Sequence, residues 1–324
     1  MPKAVVCREL GPPERMRLEE IASRRLREGE VRVAIRAAGI NFPDILMAAG
    51  EYQLKPELPF TPGVEAAGDV VEANAAASDV VVGDRVIVKM RHGAYTNEAV
   101  VTPAQLTRLP RTFDYAEGAT FLAAHGTAYH ALLDRGQLEP GEVLLVHGAG
   151  GGVGLAAVEM GKLLGATVIA AASSQEKLLI AKARGADHLV LYSREPFRDA
   201  VKRITDGRGA DVVFDPVGGE IFENSLRCIA WGARLLVIGF TGGIGLARTN
   251  LVLIKGASVL GVRAGEAARK NPALGDARLK ALLQWAEQGR IRPNVSHRLP
   301  LQDFAKAMRL LIERQAIGRV ALVM

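Results

Sequence analysis

The chain has 324 residues, which is long enough for two domains. Hydrophobic residues make up 49% and charged residues 23%, a composition that excludes a disordered or fibrous chain. The net charge is +6, but the Lys and Arg residues are scattered and form no compact basic run. This pattern favours a solvated basic surface, and a nucleic-acid partner is not expected.

The two cysteines, Cys7 and Cys228, exclude a disulfide framework and a paired-cysteine metal site. The N-terminal segment MPKAVVCREL has no signal-peptide core. Apolar runs also stay short of the ~18 residues that a membrane span needs. We therefore expect a cytoplasmic protein without a membrane partner.

Residues 1–110 are predicted to be rich in β-strands. Short segments of Val and Ala alternate there with Gly, Pro, Asn and Asp turn residues. The predicted strands lie within KAVVCREL, EVRVAIRAAG, VEAAGDVVEA, GDRVIVKM and YTNEAVVT. Frequent prolines argue against long helices in this half of the chain.

From about residue 125 the pattern changes to strands that alternate with helices. The series runs VLLVH, a helix, TVIAAA, QEKLLIAKARG, DHLVLY, FRDAVKRIT, DVVFD, EIFENSLRCIA and ARLLVIGF. Such alternation predicts a parallel sheet with helices on both faces. After ASVLGVRAG at 257–265 the alternation stops, so the tail is expected to join the N-terminal β domain.

A glycine cluster, GAGGGVG at 148–154, lies between the strand VLLVH and a predicted helix. Its glycines permit a tight turn and the close approach of a pyrophosphate to the main chain, and the helix N-terminus offers free N–H groups. This context predicts dinucleotide binding, with a plain turn as the alternative. The predicted phosphate contacts are Gly151, Gly152, Val153 and Gly154.

The strand after the glycine cluster ends in Ala and Ser (TVIAAASSQEK) rather than in the carboxylate typical of NAD sites. A carboxylate there would repel a 2′-phosphate, so its absence favours NADPH. Ser173 and Ser174 offer hydrogen bonds, Lys177 offers charge, and Tyr192 is placed to flank the adenosine phosphate. The alternatives are a solvent-facing lysine and a partly buried strand tyrosine.

Several stretches together resemble the zinc-free quinone oxidoreductases of the medium-chain dehydrogenase/reductase superfamily. They are AGINFPDILMAAGEYQLKPELPFTPGVEAAGDV, HGTAYHALL, HGAGGGVG, FDPVGGEIFENSLRCIAWGARLLVIGF and NLVLIKGASVLGVRAG. The resemblance spans essentially the whole chain and implies an α/β protein of two domains. A GroES-like, β-rich catalytic domain would comprise residues 1–124, completed by 265–324. A Rossmann doubly wound domain that binds NADPH would comprise 125–264.

The zinc-dependent branch of that superfamily carries Gly-His-Glu where this chain has Gly63-Val64-Glu65, and valine cannot ligate zinc. No metal site is therefore expected. The resemblance implies reduction of quinones by hydride transfer from NADPH, because a quinone needs no Lewis acid to accept hydride. NADPH-dependent reduction of an enone or enoyl thioester, or non-catalytic NADPH binding, are the alternatives.

By the same resemblance, Asn41 and Tyr52 lie near the nicotinamide and are the candidate catalytic residues, besides binding the cofactor. Asn41 would bind the ribose or carboxamide or polarise a carbonyl, and Tyr52 would bind the cofactor or donate a proton. Their structural alternatives are a cap before Pro43 and packing at the cleft. The remaining cofactor contacts implied are Thr127, Ile238, Gly239, Phe240, Val262 and Arg263.

Thr127 is expected at the start of a linking helix, with helix capping as the alternative role. Asp215 is interpreted as a turn residue rather than a proton carrier. The strand within ASVLGVRAG is predicted to be the sheet edge, because its apolar run would otherwise be an exposed template for pairing. A homodimer through that edge is expected.

Overall fold

The computed structural model describes residues 1–74 and 80–324. Within them, the strands are β1 (Lys3–Val6), β2 (Arg17–Glu20), β3 (Glu30–Gly39), β4 (Glu65–Asn74), β5 (Arg85–Lys89), β6 (Glu98–Val101), β7 (Leu106–Arg108), β8 (Val143–Val146), β9 (Thr167–Ala172), β10 (His188–Leu191), β11 (Ala210–Asp215), β12 (Ile229–Val237), β13 (Ser258–Gly261), β14 (Val295–Pro300) and β15 (Arg319–Val323).

The α-helices of the described residues alternate with the strands most regularly in the central part of the chain. They are α1 (Phe42–Ala49), α2 (Tyr115–Gly118), α3 (Leu122–Tyr129), α4 (Gly152–Leu163), α5 (Gln175–Ala183), α6 (Phe197–Ile204), α7 (Gly219–Ser225), α8 (Thr249–Lys255), α9 (Ala264–Lys270), α10 (Pro272–Glu287) and α11 (Phe304–Ile312). No helix of the described residues is long and apolar enough to cross a membrane.

The chain forms two compact units. The first contains Met1–Ala123 and Arg292–Met324, and the second contains Ala124–Ile291. The predicted first boundary, between residues 124 and 125, lies within one residue of this division. The predicted second boundary, at residue 265, is wrong for residues 265–291, which belong to the second unit.

Side-chain contacts explain why α10 stays with the second unit. Arg278 is buried and donates hydrogen bonds to the carbonyl of Ala264 and, at 3.1 Å, to the Asp134 carboxylate. The ring of Trp285 packs against Tyr129 with 5.7 Å between centroids. All these partners lie in the second unit, so only β14, α11 and β15 return to the first.

The first unit is built on a sheet in the order β14-β15-β3-β4-β5-β7, with β6 also paired to β3. Strand β3 shows why the sequence pattern predicted it, because Val31, Val33 and Ile35 alternate into the core. Strand β2 has no such alternation in its sequence RLEE and was not predicted. It forms through its antiparallel ladder with β1, and its Leu18 packs against the core of the first unit.

The second unit contains a parallel sheet in the order β10-β9-β8-β11-β12-β13. This is the doubly wound order, and it confirms the predicted fold class. Strand β13 lies at one edge, as predicted. In such a sheet the carboxyl ends of the strands meet along one edge, where ligands bind.

A buried cluster of charged and polar side chains holds the start of α1 in the first unit. Glu65 accepts hydrogen bonds from Arg319 at 2.5 Å and from the Asn41 amide at 3.1 Å, and Arg319 also donates to Asn41 Oδ1 at 2.8 Å. Asp44 Oδ2 accepts from the Asn41 main chain and from the Tyr95 hydroxyl. Burial, above all, raises the pKa of Asp44 to about 7, and nearby Glu65 adds to the rise.

We expect Asp44→Asn to change how stability depends on pH. The folded-state pKa lies above the unfolded value, so the folded protein holds a proton that the unfolded chain releases, and stability falls as pH rises from about 4 to 7. Asparagine keeps an acceptor for Asn41 and Tyr95 but cannot ionise. Relative to the wild type, the variant should gain about 3 °C or more in Tm between pH 5 and pH 8.

Calorimetric melts across this pH range provide the measurement. Asp276→Asn is the matched control, because Asp276 is an exposed residue of α10. If the Tm of both variants changes with pH in the same way as the Tm of the wild type, Asp44 does not titrate as argued.

Candidate cofactor site

The glycine cluster forms the turn between β8 and α4. Gly148 has a φ of +56°, a left-handed conformation that favours glycine. A β-carbon on Gly154 would lie only 2.2 Å from the carbonyl oxygen of Gly148. Helix α4 therefore rests directly on the end of the strand, and no side chain fits between them.

The N-terminus of α4 is suited to bind an anion. Gly151 is its N-cap, in an extended conformation, and it has no side chain with which to accept the first N–H groups. The amides of Gly152, Val153 and Gly154 begin the twelve-residue helix, and the helix dipole adds partial positive charge there. These residues fit a pyrophosphate held by main-chain donors.

The end of β9 adds polar side chains at the same edge of the sheet. Ser173 is exposed directly after the strand, and Ser174 caps α5 by accepting the N–H of Lys177. The stem of Lys177 packs against the turn, because a β-carbon on Gly150 would lie 2.5 Å from Lys177 Cβ. The structure thus brings Lys177 next to the predicted phosphate site.

Tyr192 lies beside these residues, since its main-chain N–H donates to the carbonyl of Ala172 at 3.1 Å. Its hydroxyl, however, lies 2.8 Å from Nδ1 of His147. His147 is fully buried and was not predicted as a functional residue. The only signal for it in the sequence is that a polar residue ends the otherwise apolar strand VLLVH.

The segments after β12 and β13 meet at the same edge. The N–H of Ile238 donates to the Asp215 carbonyl at 2.9 Å, and that of Val262 donates to the Val237 carbonyl at 3.0 Å. The structure thereby brings Ile238, Gly239 and Phe240 next to Val262 and Arg263, both of which follow β13. Phe240 is 47% exposed, and Arg263 is exposed at the N-cap of α9.

Asp215 has the turn role that the sequence indicated. Its Oδ1 accepts the main-chain N–H groups of Val217 at 2.8 Å and Gly218 at 2.9 Å. Thr127 lies inside α3 rather than at its start, so the helix-capping interpretation is wrong. Its side chain is half-buried within the second unit.

Asn41 and Tyr52 belong to the first unit. Asn41 is the N-cap of α1, and its amide group is held by Glu65, Arg319 and the carbonyl of Gly39. Tyr52 is half-buried and packs against the core of that unit. The sequence analysis missed Arg319, which lies 278 positions from Asn41 and shares no local pattern with it.

No group of three or more His, Cys, Asp or Glu side chains that could hold a metal ion is found in residues 1–74 and 80–324. The Glu65 carboxylate, next to Val64, forms a buried ion pair with Arg319. Its charge is therefore balanced within the protein.

Comparison with known proteins finds a family match in each half of the chain. Residues 27–111 match the alcohol dehydrogenase GroES-like domain, and residues 152–286 match the zinc-binding dehydrogenase family. The quinone oxidoreductase-like protein 2 of Rattus norvegicus is 38% identical over 322 residues, which are 99% of this chain and 91% of the relative.

Two solved structures show the same fold over nearly the full length. Quinone oxidoreductase of Pseudomonas syringae pv. Tomato DC3000 has a TM-score of 0.90 at 30% identity and covers 100% of both chains. Escherichia coli quinone oxidoreductase complexed with NADPH has a TM-score of 0.90 at 27% identity, covering 99% of this chain and 100% of the other. The chain therefore belongs to the quinone oxidoreductase-type family of the medium-chain dehydrogenase/reductase superfamily.

Proposed function

We propose that this protein is an NADPH-dependent reductase of quinones that operates without zinc. The observation that carries the proposal is the uncapped N-terminus of α4, set on a glycine turn against which Lys177 packs. The NADPH complex of the similar E. coli enzyme supports the choice of cofactor. When bound, NADPH supplies a hydride; the protein binds, orients and shields the reactants.

In this proposal the amides of Gly152, Val153 and Gly154 hold the pyrophosphate. Lys177 and Ser173 bind the 2′-phosphate, because the ammonium group supplies charge and the exposed hydroxyl supplies a hydrogen bond. Ser174 already accepts the Lys177 N–H as the cap of α5, which orients its hydroxyl at the same strand end. Main-chain groups at Ile238–Phe240 and Val262–Arg263 bind nearby, with Thr127 as a further contact.

Asn41 is proposed to bind the ribose or the carboxamide through its amide oxygen. The amide hydrogens are directed at Glu65 and at Gly39, and Oδ1 already accepts one bond from Arg319. One lone pair on Oδ1 remains, so Asn41 accepts a hydrogen bond and has no free proton with which to polarise a carbonyl. Tyr52 is the proposed proton donor to the reduced acceptor.

The side chains at positions 64 and 65 support a class of acceptor that needs no bound metal. Valine occupies position 64, and the Glu65 charge is matched by Arg319, so neither side chain is available to hold a Lewis acid. A suitable acceptor must then take hydride unaided and delocalise the resulting negative charge. Quinones and α,β-unsaturated carbonyls both meet these conditions, and the resemblance to quinone oxidoreductases supports the choice of a quinone.

A steady-state assay of NADPH oxidation tests the proposed activity. We expect turnover with an ortho-quinone and a decrease in kcat of about a hundredfold in Tyr52→Phe, the range for loss of one general acid. Turnover of a simple enone alone would indicate the alkene reductase instead. Tight NADPH binding without turnover of either acceptor would indicate a non-catalytic binding protein.

Lys177→Ala should weaken NADPH binding by about tenfold, as expected for loss of a charge-assisted hydrogen bond to phosphate. NADH affinity should stay unchanged, because NADH has no 2′-phosphate. Fluorescence titration with both nucleotides provides the measurement. Lys182→Ala, an exposed lysine on the same helix, is the control and should alter neither affinity.

We further propose a homodimer through the edge strand β13. Since the N–H of Val262 bonds inward to β12, alternation along the strand directs the N–H groups of Val259 and Gly261 outward. Exposed apolar side chains also occur on nearby elements of the second unit, including Trp231, which packs against Gly256 beside the strand. A second copy would cover this apolar edge.

Val259→Lys should convert the dimer to a monomer, because a charge at a pairing edge must be desolvated on association. Light scattering after size-exclusion chromatography gives the mass. Val71→Lys on β4 is the matched control. The Val71 side chain is 46% exposed, and the Val259 side chain is 36% exposed. A wild-type monomer, or an unchanged dimer of Val259→Lys, would contradict this assembly.

A further inference from the structure

A fully buried tyrosine lies behind Asn41, the proposed ligand of the ribose or the carboxamide. Tyr95 lies between β5 and β6, and 0% of its surface is exposed. Its hydroxyl donates to Asp44 Oδ2 at 2.7 Å, and the same oxygen accepts the main-chain N–H of Asn41 at 2.8 Å. Asp44 therefore links the tyrosine to the N-cap of α1.

The tyrosine itself is fixed by its main chain and by its ring. Its N–H donates to the carbonyl of Pro62 at 3.0 Å, and its carbonyl accepts the N–H of Val5 at 2.9 Å. Gly63 has a φ of +99°, which favours glycine, and a β-carbon there would lie 2.5 Å from Cδ1 of the Tyr95 ring. The ring thus packs on bare main chain two residues before Glu65, and this contact sets the position of its hydroxyl.

Both hydrogen bonds end on one oxygen of the Asp44 carboxyl group. The other oxygen, Oδ1, is buried and has no hydrogen-bond partner among the residues that the structure describes. The charged groups that face Asp44 are Glu65 at the start of β4 and Arg319 of β15. Burial, above all, raises the pKa of Tyr95 well above its usual range, so the phenol stays a donor. The proton of a neutral Asp44 is then carried by Oδ1, and Oδ2 accepts both bonds in either state.

We propose that Tyr95 is a positioning residue which, through Asp44, fixes the N-cap of α1 and thereby the direction in which the Asn41 amide meets the cofactor. Glu65 and Arg319 hold the amide group itself. They can direct it only if the main chain that carries it stays in place, and the bond from the Asn41 N–H to Asp44 supplies that constraint. The inference rests on the proposed function, in which Asn41 is a ligand of the cofactor.

Tyr95→Phe removes the hydroxyl and leaves the ring packed on Gly63. We expect the affinities for NADPH and NADH to fall by the same factor, about fivefold, as for loss of one hydrogen bond. The factor is shared because both nucleotides carry the same nicotinamide and ribose. Fluorescence titration provides the measurement. Tyr115→Phe is the matched control and should alter neither affinity, because Tyr115 donates its hydroxyl to another carboxylate of the first unit, that of Asp69.

A double-mutant cycle with Asn41→Ala separates positioning from a general loss of structure. Asn41→Ala removes the amide group but keeps the main-chain N–H that Asp44 accepts. In that background Tyr95→Phe should weaken binding no further, because the group that it positions is absent. The same loss in both backgrounds would overturn the inference. Unchanged affinity in Tyr95→Phe alone would overturn it as well.

Asp44→Asn is the conservative variant, because its amide oxygen can accept both hydrogen bonds. It should bind both nucleotides as the wild type does. A loss of affinity as large as that of Tyr95→Phe would show that Asn41 depends on the carboxyl group itself rather than on a hydrogen-bond acceptor at that position, and the inference would fail.

A second measurement does not depend on nucleotide. Burial raises the pKa of Asp44 and the Tyr95 hydroxyl opposes that rise, so its removal should raise the pKa further. Stability is lost as pH rises through the folded-state pKa, so the Tm of Tyr95→Phe should fall more steeply than that of the wild type between pH 7 and pH 9. Parallel curves would overturn the inference and leave the proposed function intact. If the wild type binds neither nucleotide, the proposed function and the positioning role both fail.

Discussion

The contact between α4 and the turn that precedes it constrains the rest of the second unit. With Gly154 pressed on the Gly148 carbonyl, the helix axis starts at the carboxyl end of β8 rather than beside it. The first-turn amides are consequently aimed at the sheet edge where β9, β12 and β13 also end. A methyl group at residue 154 would separate helix from strand and move every donor in that turn.

Behind the glycine turn, His147 lies within hydrogen-bond distance of Tyr192 and of Ser225. Buried polar groups are costly unless each is hydrogen-bonded, and the buried His147 has a partner at each ring nitrogen. These hydrogen bonds join the ends of β8, β10 and α7, which are far apart along the chain.

Buried charge plays a comparable part in the first unit. Glu65 and Asp44 lie close to a single guanidinium, that of Arg319, and burial, with a smaller effect of nearby Glu65, raises the pKa of Asp44. Removing one partner from such a cluster leaves a buried charge uncompensated. Its benefit is that the Asn41 amide is held at both ends, so little side-chain entropy remains to be lost when a ligand binds.

The sequence by itself determined the features that depend on local pattern. They are the alternation of β3, the strand–turn–helix around residues 148–154, the parallel βαβ series and the absence of a carboxylate after β9. These follow from periodicity and from residue chemistry within a short window. The family resemblance added the two-domain plan, whose first boundary lies within one residue of the structure and whose second is displaced because α10 is held by Arg278.

Tertiary structure alone decided which distant side chains meet. His147 contacts Tyr192, which is 45 positions away, and Ser225, which is 78 positions away. Glu65 contacts Arg319, which is 254 positions away. No local pattern carries such separations, because the distance between two strand ends depends on how the whole sheet is ordered. The same limit applies to Tyr192: its position beside Ser173 follows from the βαβ order, whereas the contact of its hydroxyl with His147 depends on the tertiary structure.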